Sequence, residues 1–372
     1  MPYQFINFER SDGVGQVTLN RPDQLNAFTP EMLHELADVF KGMERDPMVR
    51  AIIITGAGRA FCGGENFRQR AEAELGNSTP PVQTGSQNGP SFETFTPNFS
   101  NPGPSGSGGT PYTPVSIAGG STVQPQFASD NTPLNPSPVP LDINRPGGTP
   151  IQPVEITNPR NQPVFSQNQD SPEPVSGSLP SLGSPSGPTL AEQVRRAYNP
   201  LIRQMRNIEK PVIAAVNGIA AGTGLGLALA CDIRYASERA RFVEVSVRIG
   251  LLPGSGTGYF LPRLIGLTKA MEMAFNGDEL DAVAAEKYGL VSRVIAPDNL
   301  LDETRKLAVR LAKGPTRAIG LTKQMMYRSA TMGLEQALDF EAHLVDEAVR
   351  SQDYKEGLRA FNERRPPEYK GY

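Results

Sequence analysis

Cysteine, histidine and tryptophan are nearly missing from this chain: 372 residues hold two cysteines, two histidines and no tryptophan. Cys62 and Cys231 sit among apolar neighbours, which reads as small buried thiols in a reducing compartment and argues against a disulfide or a metal site. His34 and His343 fall in amphipathic helical patterns away from any glycine turn. Neither joins a serine or cysteine in a nucleophilic constellation, so packing or solvated roles are expected. Excess charge is also lacking. A net charge of −3 gives no electrostatic footprint for nucleic acid or an anionic membrane. No apolar run reaches the roughly 20 residues needed to span a bilayer, and Met1 to Gly13 has neither a basic n-region nor an apolar h-region. A soluble, cytoplasmic protein is expected, with no nucleic-acid, membrane or metal partner.

The absences sharpen between Gly76 and Thr189. This stretch has no lysine, methionine or cysteine and carries about two-thirds of the prolines, mixed with Gly, Ser, Thr, Asn and Gln. Such a composition cannot bury enough apolar surface to offset an ordering entropy of about 1–2 kcal/mol per residue. Frequent proline excludes a long helix or a central strand. The expectation is a disordered insert over 76–189, far longer than an ordinary loop. Its scattered aromatics (Phe92, Phe95, Phe99, Tyr112, Phe127, Phe165) show no period, so it reads as a spacer or, alternatively, as a weakly adhesive segment.

What is present is a repeated alternation of short apolar runs, glycine turns and helical patterns. Strands are expected at Phe5 to Phe8, Val14 to Leu19, Ala51 to Gly56, Val212 to Val216 and Ile233 to Ala236, and helices at about Pro30 to Arg45, Leu190 to Asn207 and Gly222 to Ala230. From Thr257 onward the pattern is mostly helical: Thr268 to Asn276, Asp281 to Tyr288, Asp298 to Lys313, Pro315 to Ser329 and Met332 to Val349. Without the insert roughly 260 residues remain, a fair size for one α/β domain with appended helices.

The segment from Val212 through Asn217-Gly218 to Gly222-Thr223-Gly224 and Ala230 runs strand, glycine turn, helix start. That geometry aims free backbone N–H groups at an anion. No Walker lysine follows, and the spacing is not a dinucleotide fingerprint. An oxyanion formed transiently at a carbonyl therefore fits better than a bound phosphate; a glycine turn packed on a core helix is the structural alternative. Ala51 to Gly56, followed by Gly58-Arg59-Ala60-Phe61-Cys62-Gly63-Gly64-Glu65, is a second such unit. Two units can bring two N–H donors to one oxygen.

With these pieces the chain resembles the crotonase, or enoyl-CoA hydratase/isomerase, superfamily. The matching residues, in the family's order, are Asn20-Arg21-Pro22 with Asn26-Ala27, then Gly58-Arg59-Ala60-Phe61-Cys62, Lys210-Pro211-Val212-Ile213, Asn217-Gly218, Cys231-Asp232-Ile233 and Gly250-Leu251-Leu252-Pro253. Tyr198-Asn199-Pro200-Leu201 and Ala220-Ala221-Gly222 resemble the phenylacetate-pathway isomerase branch. The resemblance implies an α/β fold, a spiral of β-β-α units with a C-terminal helical region, interrupted by the insert. The parts are core residues 1–75, the insert 76–189, core residues 190–267 and a helical oligomerisation region 268–372, assembling as a homotrimer or homohexamer.

For the site, the resemblance implies oxyanion donors at the N–H of Glu65 and of Thr223, acting on the thioester carbonyl of an acyl-CoA substrate with no separate cofactor. Gln24, Leu25, Ala27, Ala60, Cys62 and Gly64 are implied to line the pantetheine and adenine pocket, mainly through backbone. Arg364, Arg365 and Lys370 could meet the CoA phosphates, or form a solvated basic terminus. The positions where hydratases of the family carry catalytic glutamates fall on Gly226 and Ser246, and the acidic position of the phenylacetate-type isomerases, after Pro253, falls on Gly254. None of the three offers a carboxylate. Glu244, two residues before Ser246 and on its face if the segment is extended, and Glu65 are the substitute candidates; a solvated, bystander role is the competing expectation for each. An isomerase is the first reading and a 2-enoyl-CoA hydratase the second. Two further readings are an acyl-CoA-binding scaffold with an interaction-prone insert and an ordinary enzyme carrying an engineered insert.

Overall fold

The computed structural model describes residues 3–66 and 189–372. The insert expected over 76–189 lies outside them, apart from Thr189. Two sheets are formed. The larger has the order β1 (Ile6–Ser11), β2 (Val14–Leu19), β3 (Ala51–Gly56), β5 (Val212–Val216), β7 (Ile233–Ser237), β10 (Arg293–Ile295). Only its β1–β2 edge is antiparallel. The smaller has the order β4 (Ala60–Cys62), β6 (Ile219–Ala221), β8 (Arg241–Val243), β9 (Glu279–Asp281), parallel except for its last pair. The helices are α1 (Pro30–Arg45), α2 (Leu190–Gln193), α3 (Asn199–Asn207), α4 (Thr223–Ala230), α5 (Thr257–Ile265), α6 (Leu267–Asn276), α7 (Ala282–Lys287), α8 (Leu300–Ala312), α9 (Thr316–Ser329), α10 (Leu334–Ala348) and α11 (Gln352–Glu363). A π turn over Val194–Tyr198 joins α2 to α3. Thr189 opens α2 with a reciprocal cap, its hydroxyl accepting from Glu192 N and its own N–H donating to the Glu192 carboxylate.

The repeat is β-β-α: a strand of the large sheet, a short strand of the small sheet, then a helix. β5–β6–α4 is one complete turn of the spiral, and β7–β8 leads through a 3-10 turn (Ser246–Ile249) to α5. The sequence pattern shows the large-sheet strands other than β10 but misses the short ones, because three residues are too few to display a period of two. The region expected to be helical from 268 onward also contributes β9 and β10.

Burial explains the patterns. Every residue of β3 and of β5 is buried, as for central strands of a parallel sheet covered on both faces. Ile52 and Ile54 face one core with Leu36, Phe40, Leu201 and Met205, while Ile53 faces the other with Leu307, Ala308 and Ala312 of α8. α1 buries Met32, Leu33, Leu36, Val39, Phe40 and Met43, a single stripe at helical spacing. It starts at Thr29, whose side chain accepts from Met32 N, with Pro30 in the first turn. α4 is buried from Gly224 to Ala230 and has no polar face, so it runs through the core.

α9 is riveted to this core by charge. Lys323 is buried, pairs with Asp232 at 2.9 Å and donates to Met205 O at 2.8 Å. Among the described residues no helix is long and apolar enough to cross a membrane.

Candidate functional site

β4 and β6 are parallel neighbours, Ala60 opposite Ile219 and Cys62 opposite Ala220. Both glycine turns therefore leave the same end of the small sheet, side by side. Gly64 has φ +90°, and a Cβ on it would stand 2.7 Å from Ala221 O and 3.5 Å from Thr223 N. Only glycine allows this approach. Thr223 is the first residue of α4, where an N–H has no intrahelical acceptor. Glu65 forms an isolated parallel bridge with Phe28. The bonds of that bridge fall on either side of it, Phe28 N donating to Gly64 O (2.7 Å) and Asn66 N to Phe28 O (3.4 Å).

Two further glycines fix α4. A Cβ on Gly224 would lie 2.3 Å from Cys62 O, and one on Gly226 would lie 2.6 Å from Ser255 Cβ and 2.8 Å from Ser255 O. Two residues apart on a helix means nearly opposite faces. The helix is thus held between β4 and the 253–257 loop at backbone contact on both sides. Gly226 leaves no room for a carboxylate: its neighbours, rather than chemistry, demand glycine there.

Asn26 and Asn217 tie the β3–β4 connection, and the sequence pattern assigned neither a role of its own. Asn26 is fully buried; its Nδ2 donates to Ala57 O and Ala60 O, both at 2.9 Å, and its Oδ1 accepts from Arg21 N at 2.8 Å. Asn217 Nδ2 donates to Gly58 O (2.9 Å) and Ala60 O (3.2 Å), and its Oδ1 accepts from Gly56 N (3.1 Å). Two asparagines, each directly next to or within a turn, were the signal in the sequence.

The 24–27 turn and the 60–64 segment are in contact. Gly63 N donates to Leu25 O (2.7 Å) and Cys62 Sγ to Asn26 O (3.2 Å). Leu25 and Asn26 both have positive φ, 52° and 56°. Gln24 Oε1 accepts from Asn66 Nδ2 at 3.1 Å. Gln24, Leu25, Ala27, Ala60, Cys62 and Gly64 therefore form one patch. The side chains of Ala60 and Cys62 face the core, so only their backbones can meet a ligand. Burial pushes the Cys62 and Cys231 thiols up to about 12, which makes both inert. Of the tail residues, Arg365 is already paired with Glu356 (2.7 Å) and Glu363 (2.6 Å).

The other side of α4 is a polar loop. The Gly254 position is open apart from Thr223, whose Cγ2 would lie 3.3 Å from a Cβ there. Glu244 is fully buried, contrary to the expectation of a solvated bystander. It follows β8 directly, and Ser246 begins a 3-10 turn, so the two residues meet through the turn and not through strand alternation. Glu244 Oε1 accepts from Ser246 Oγ at 2.5 Å and from Ser246 N at 3.1 Å. Burial raises the Glu244 pKa above its ordinary range, with the two Ser246 bonds pulling the other way. Among the described residues the buried side-chain polar atoms with no protein partner are Glu244 Oε2, Thr223 Oγ1, Ser255 Oγ and Thr257 Oγ1. All four belong to residues around the first turns of α4 or to the loop packed on them. The sequence signal for the hydroxyls was the alternation Gly254-Ser255-Gly256-Thr257-Gly258. A cavity of about 200 Å³ lined by Arg206, Asp232, Arg234, Arg263 and Tyr327 lies at the opposite end of α4, beside Leu229 and Cys231. His34 and His343 are exposed on α1 and α10.

The fold and the two glycine turns meeting at a helix start belong to a class of acyl-CoA enzymes. The enoyl-CoA hydratase/isomerase family profile matches residues 9–88 and 184–372, and the chain belongs to that family. It is 30% identical over 368 residues to the 1,2-epoxyphenylacetyl-CoA isomerase of Escherichia coli K12, covering 99% of each chain. It is 43% identical over 155 residues, 42% of this chain and 99% of the other, to the short-chain-enoyl-CoA hydratase of Clostridioides difficile. The crystal structure of an enoyl-CoA hydratase from Bacillus anthracis, 24% identical, shares the fold with a TM-score of 0.64 over 99% of this chain and 100% of that one.

Proposed function

We propose that this acyl-CoA enzyme binds the thioester carbonyl between the N–H groups of Glu65 and Thr223 and moves a double bond through the resulting enolate. The observation that carries the reading is the approach of the two turns, with Thr223 N 3.5 Å from where a Gly64 Cβ would stand. Each N–H of such a pair is worth about 3–4 kcal/mol in the transition state, and the end of α4 adds roughly half a positive charge. The backbone patch of Gln24, Leu25, Ala27, Ala60, Cys62 and Gly64 takes the pantetheine and adenine. The coenzyme A thioester is the substrate, and no further cofactor is required.

Isomerisation of an enoyl-CoA or a ring-bearing acyl-CoA is the first reaction, and the full-length similarity to an epoxyphenylacetyl-CoA isomerase supports it. Hydration is the second reading, favoured by the similarity to short-chain hydratases. A scaffold without activity is disfavoured, since both relatives are named as enzymes. The working assembly is a homotrimer or homohexamer in the cytoplasm. Its support is the apolar surface of α10 and α11, where Leu334, Leu338, Val345, Leu358 and Phe361 are all exposed.

The test follows double-bond absorbance with crotonyl-CoA and with a 3-enoyl-CoA on one preparation. Turnover of the 3-enoyl-CoA is the expected result. Turnover of crotonyl-CoA alone selects the hydratase, and turnover of neither overturns the proposal.

A further inference from the structure

We infer that Ser246 is the catalytic residue that takes and returns the substrate proton, with Glu244 as the positioning residue that stores it. This rests on the enolate reading above. Ser246 Oγ sits between two things: the buried Glu244 carboxyl, 2.5 Å away, and the start of α4, being 4.0 Å from where a Cβ on Gly222 would stand. Gly222 directly precedes Thr223, so the hydroxyl faces the turn that carries the proposed second donor N–H. Thr223, Ser255 and Thr257 also bring hydroxyls to these turns, but their oxygens have no protein partner. Ser246 alone among them donates to a carboxylate, and only such a hydroxyl can lose a proton while it gains one.

The step balances within the protein and substrate. The C–H bond next to the thioester carbonyl breaks, and its electron pair becomes the enolate held by Glu65 N–H and Thr223 N–H. The proton goes to Ser246 Oγ as the Ser246 O–H bond breaks and that proton passes to Glu244 Oε1. In a 3-enoyl-CoA the reverse transfer, from Ser246 Oγ to the γ carbon, closes the cycle. The double bond then lies between the α and β carbons, and Glu244 is again a carboxylate.

The charged groups on the neighbouring elements are engaged elsewhere. Arg248 donates to Gly277 O at 2.6 Å, Arg241 pairs with Glu279 at 2.9 Å across β8 and β9, and Lys269 pairs with Glu272 at 3.0 Å on α6. Asp278, next to Gly277, is the remaining carboxylate on that connection. Burial therefore sets the proton affinity of Glu244, opposed by the Ser246 bonds.

The experiment compares full-length wild type, Ser246→Ala, Ser246→Thr and Glu244→Gln. It reads exchange of the α proton of a 3-enoyl-CoA with deuterated solvent, kcat and KM against pH, and crotonyl-CoA binding by calorimetry. We expect Ser246→Ala and Glu244→Gln each to lower exchange by about 10²-fold or more, with binding of crotonyl-CoA retained. Ser246→Thr, which keeps the hydroxyl, restores most of the rate. In wild type kcat rises with pH through an acid limb displaced above 4.5, the ordinary glutamate value, and Glu244→Gln abolishes that limb. A Ser246→Ala enzyme exchanging at the wild-type rate overturns the inference, as does an unchanged acid limb in Glu244→Gln. Either result leaves the enolate reading standing. Wild type that binds crotonyl-CoA but exchanges no α proton overturns both. Should Glu244→Gln not fold, the Ser246→Ala and Ser246→Thr pair decides alone.

Discussion

The two flanks of α4 are made of different material. On the β4 flank, Gly64 and Gly224 bring backbone against backbone, and the groups that matter there are peptide N–H. On the 244–257 flank the groups that matter are side chains: one buried carboxyl and several hydroxyls. The first flank depends on few side chains, chiefly Asn26 and Asn217, and needs Gly64 and Gly224, because a Cβ at either would stand within 3 Å of a carbonyl oxygen. The second flank can exchange its chemistry residue by residue. In the proposed reaction, carbonyl polarisation is therefore the fixed half of the site and proton handling the variable half.

The hardest break of this contrast is Thr223→Pro. Proline fits the first position of a helix, so the fold survives while one donor disappears; kcat/KM should fall about 10²- to 10³-fold, with circular dichroism unchanged. Unaltered turnover would remove the backbone flank from the mechanism.

A carboxylate placed on the two sides of the loop sharpens the contrast. Gly226→Glu collides with Ser255 backbone and should cost about 1–3 kcal/mol or more in stability, lowering the denaturant midpoint. Gly254→Asp meets only the Thr223 methyl group, so it should keep its midpoint and raise isomerase turnover. The opposite order in an unfolding titration would mean that the loop is not seated on α4.

Asn26→Ala removes two hydrogen bonds that hold the β3–β4 connection and a third from Arg21 N. A loss of about 2 kcal/mol is expected, read by the same titration, with a smaller fall in kcat.

The smallest effect is a pH slope. Glu244 has a folded-state pKa above its ordinary 4.5, so the folded state holds its proton more tightly than the unfolded chain does. Its contribution to stability is complete below 4.5 and is lost as pH rises through the elevated value. Glu244→Gln should flatten the stability profile across that window. A profile unchanged by the substitution would place the carboxyl in solvent.

Val14–Leu19, Pro30–Arg45, Ala51–Gly56 and Val212–Val216 fall at the bounds expected from sequence: Ala51–Gly56 and Val212–Val216 are uniform buried runs, Pro30–Arg45 is one helical stripe with a cap, and Val14–Leu19 is a mostly buried apolar run. Glycine spacing, a local signal, marked the two turns that meet at the start of α4, whereas the choice of Glu65 and Thr223 within them came from the family resemblance. Glu244 was harder. Whether a glutamate just past a strand is exposed depends on β9 and α6 closing over it, from residues 20 or more positions away, and no local pattern carries that. Gly226 looked like a missing acid, yet its reason lies in Ser255, which the chain brings to it only after folding.

α4 also behaves as a fixed electrode. Held at backbone contact on opposite faces by Cys62 and Ser255, it cannot rock or slide when charge appears on a bound oxygen. The alignment of its peptide dipoles is completed when the chain folds, so little reorganisation is left for the reaction itself. The same rigidity means that a change in preferred acyl group must come from the rim of the site, since the helix has no slack with which to adjust.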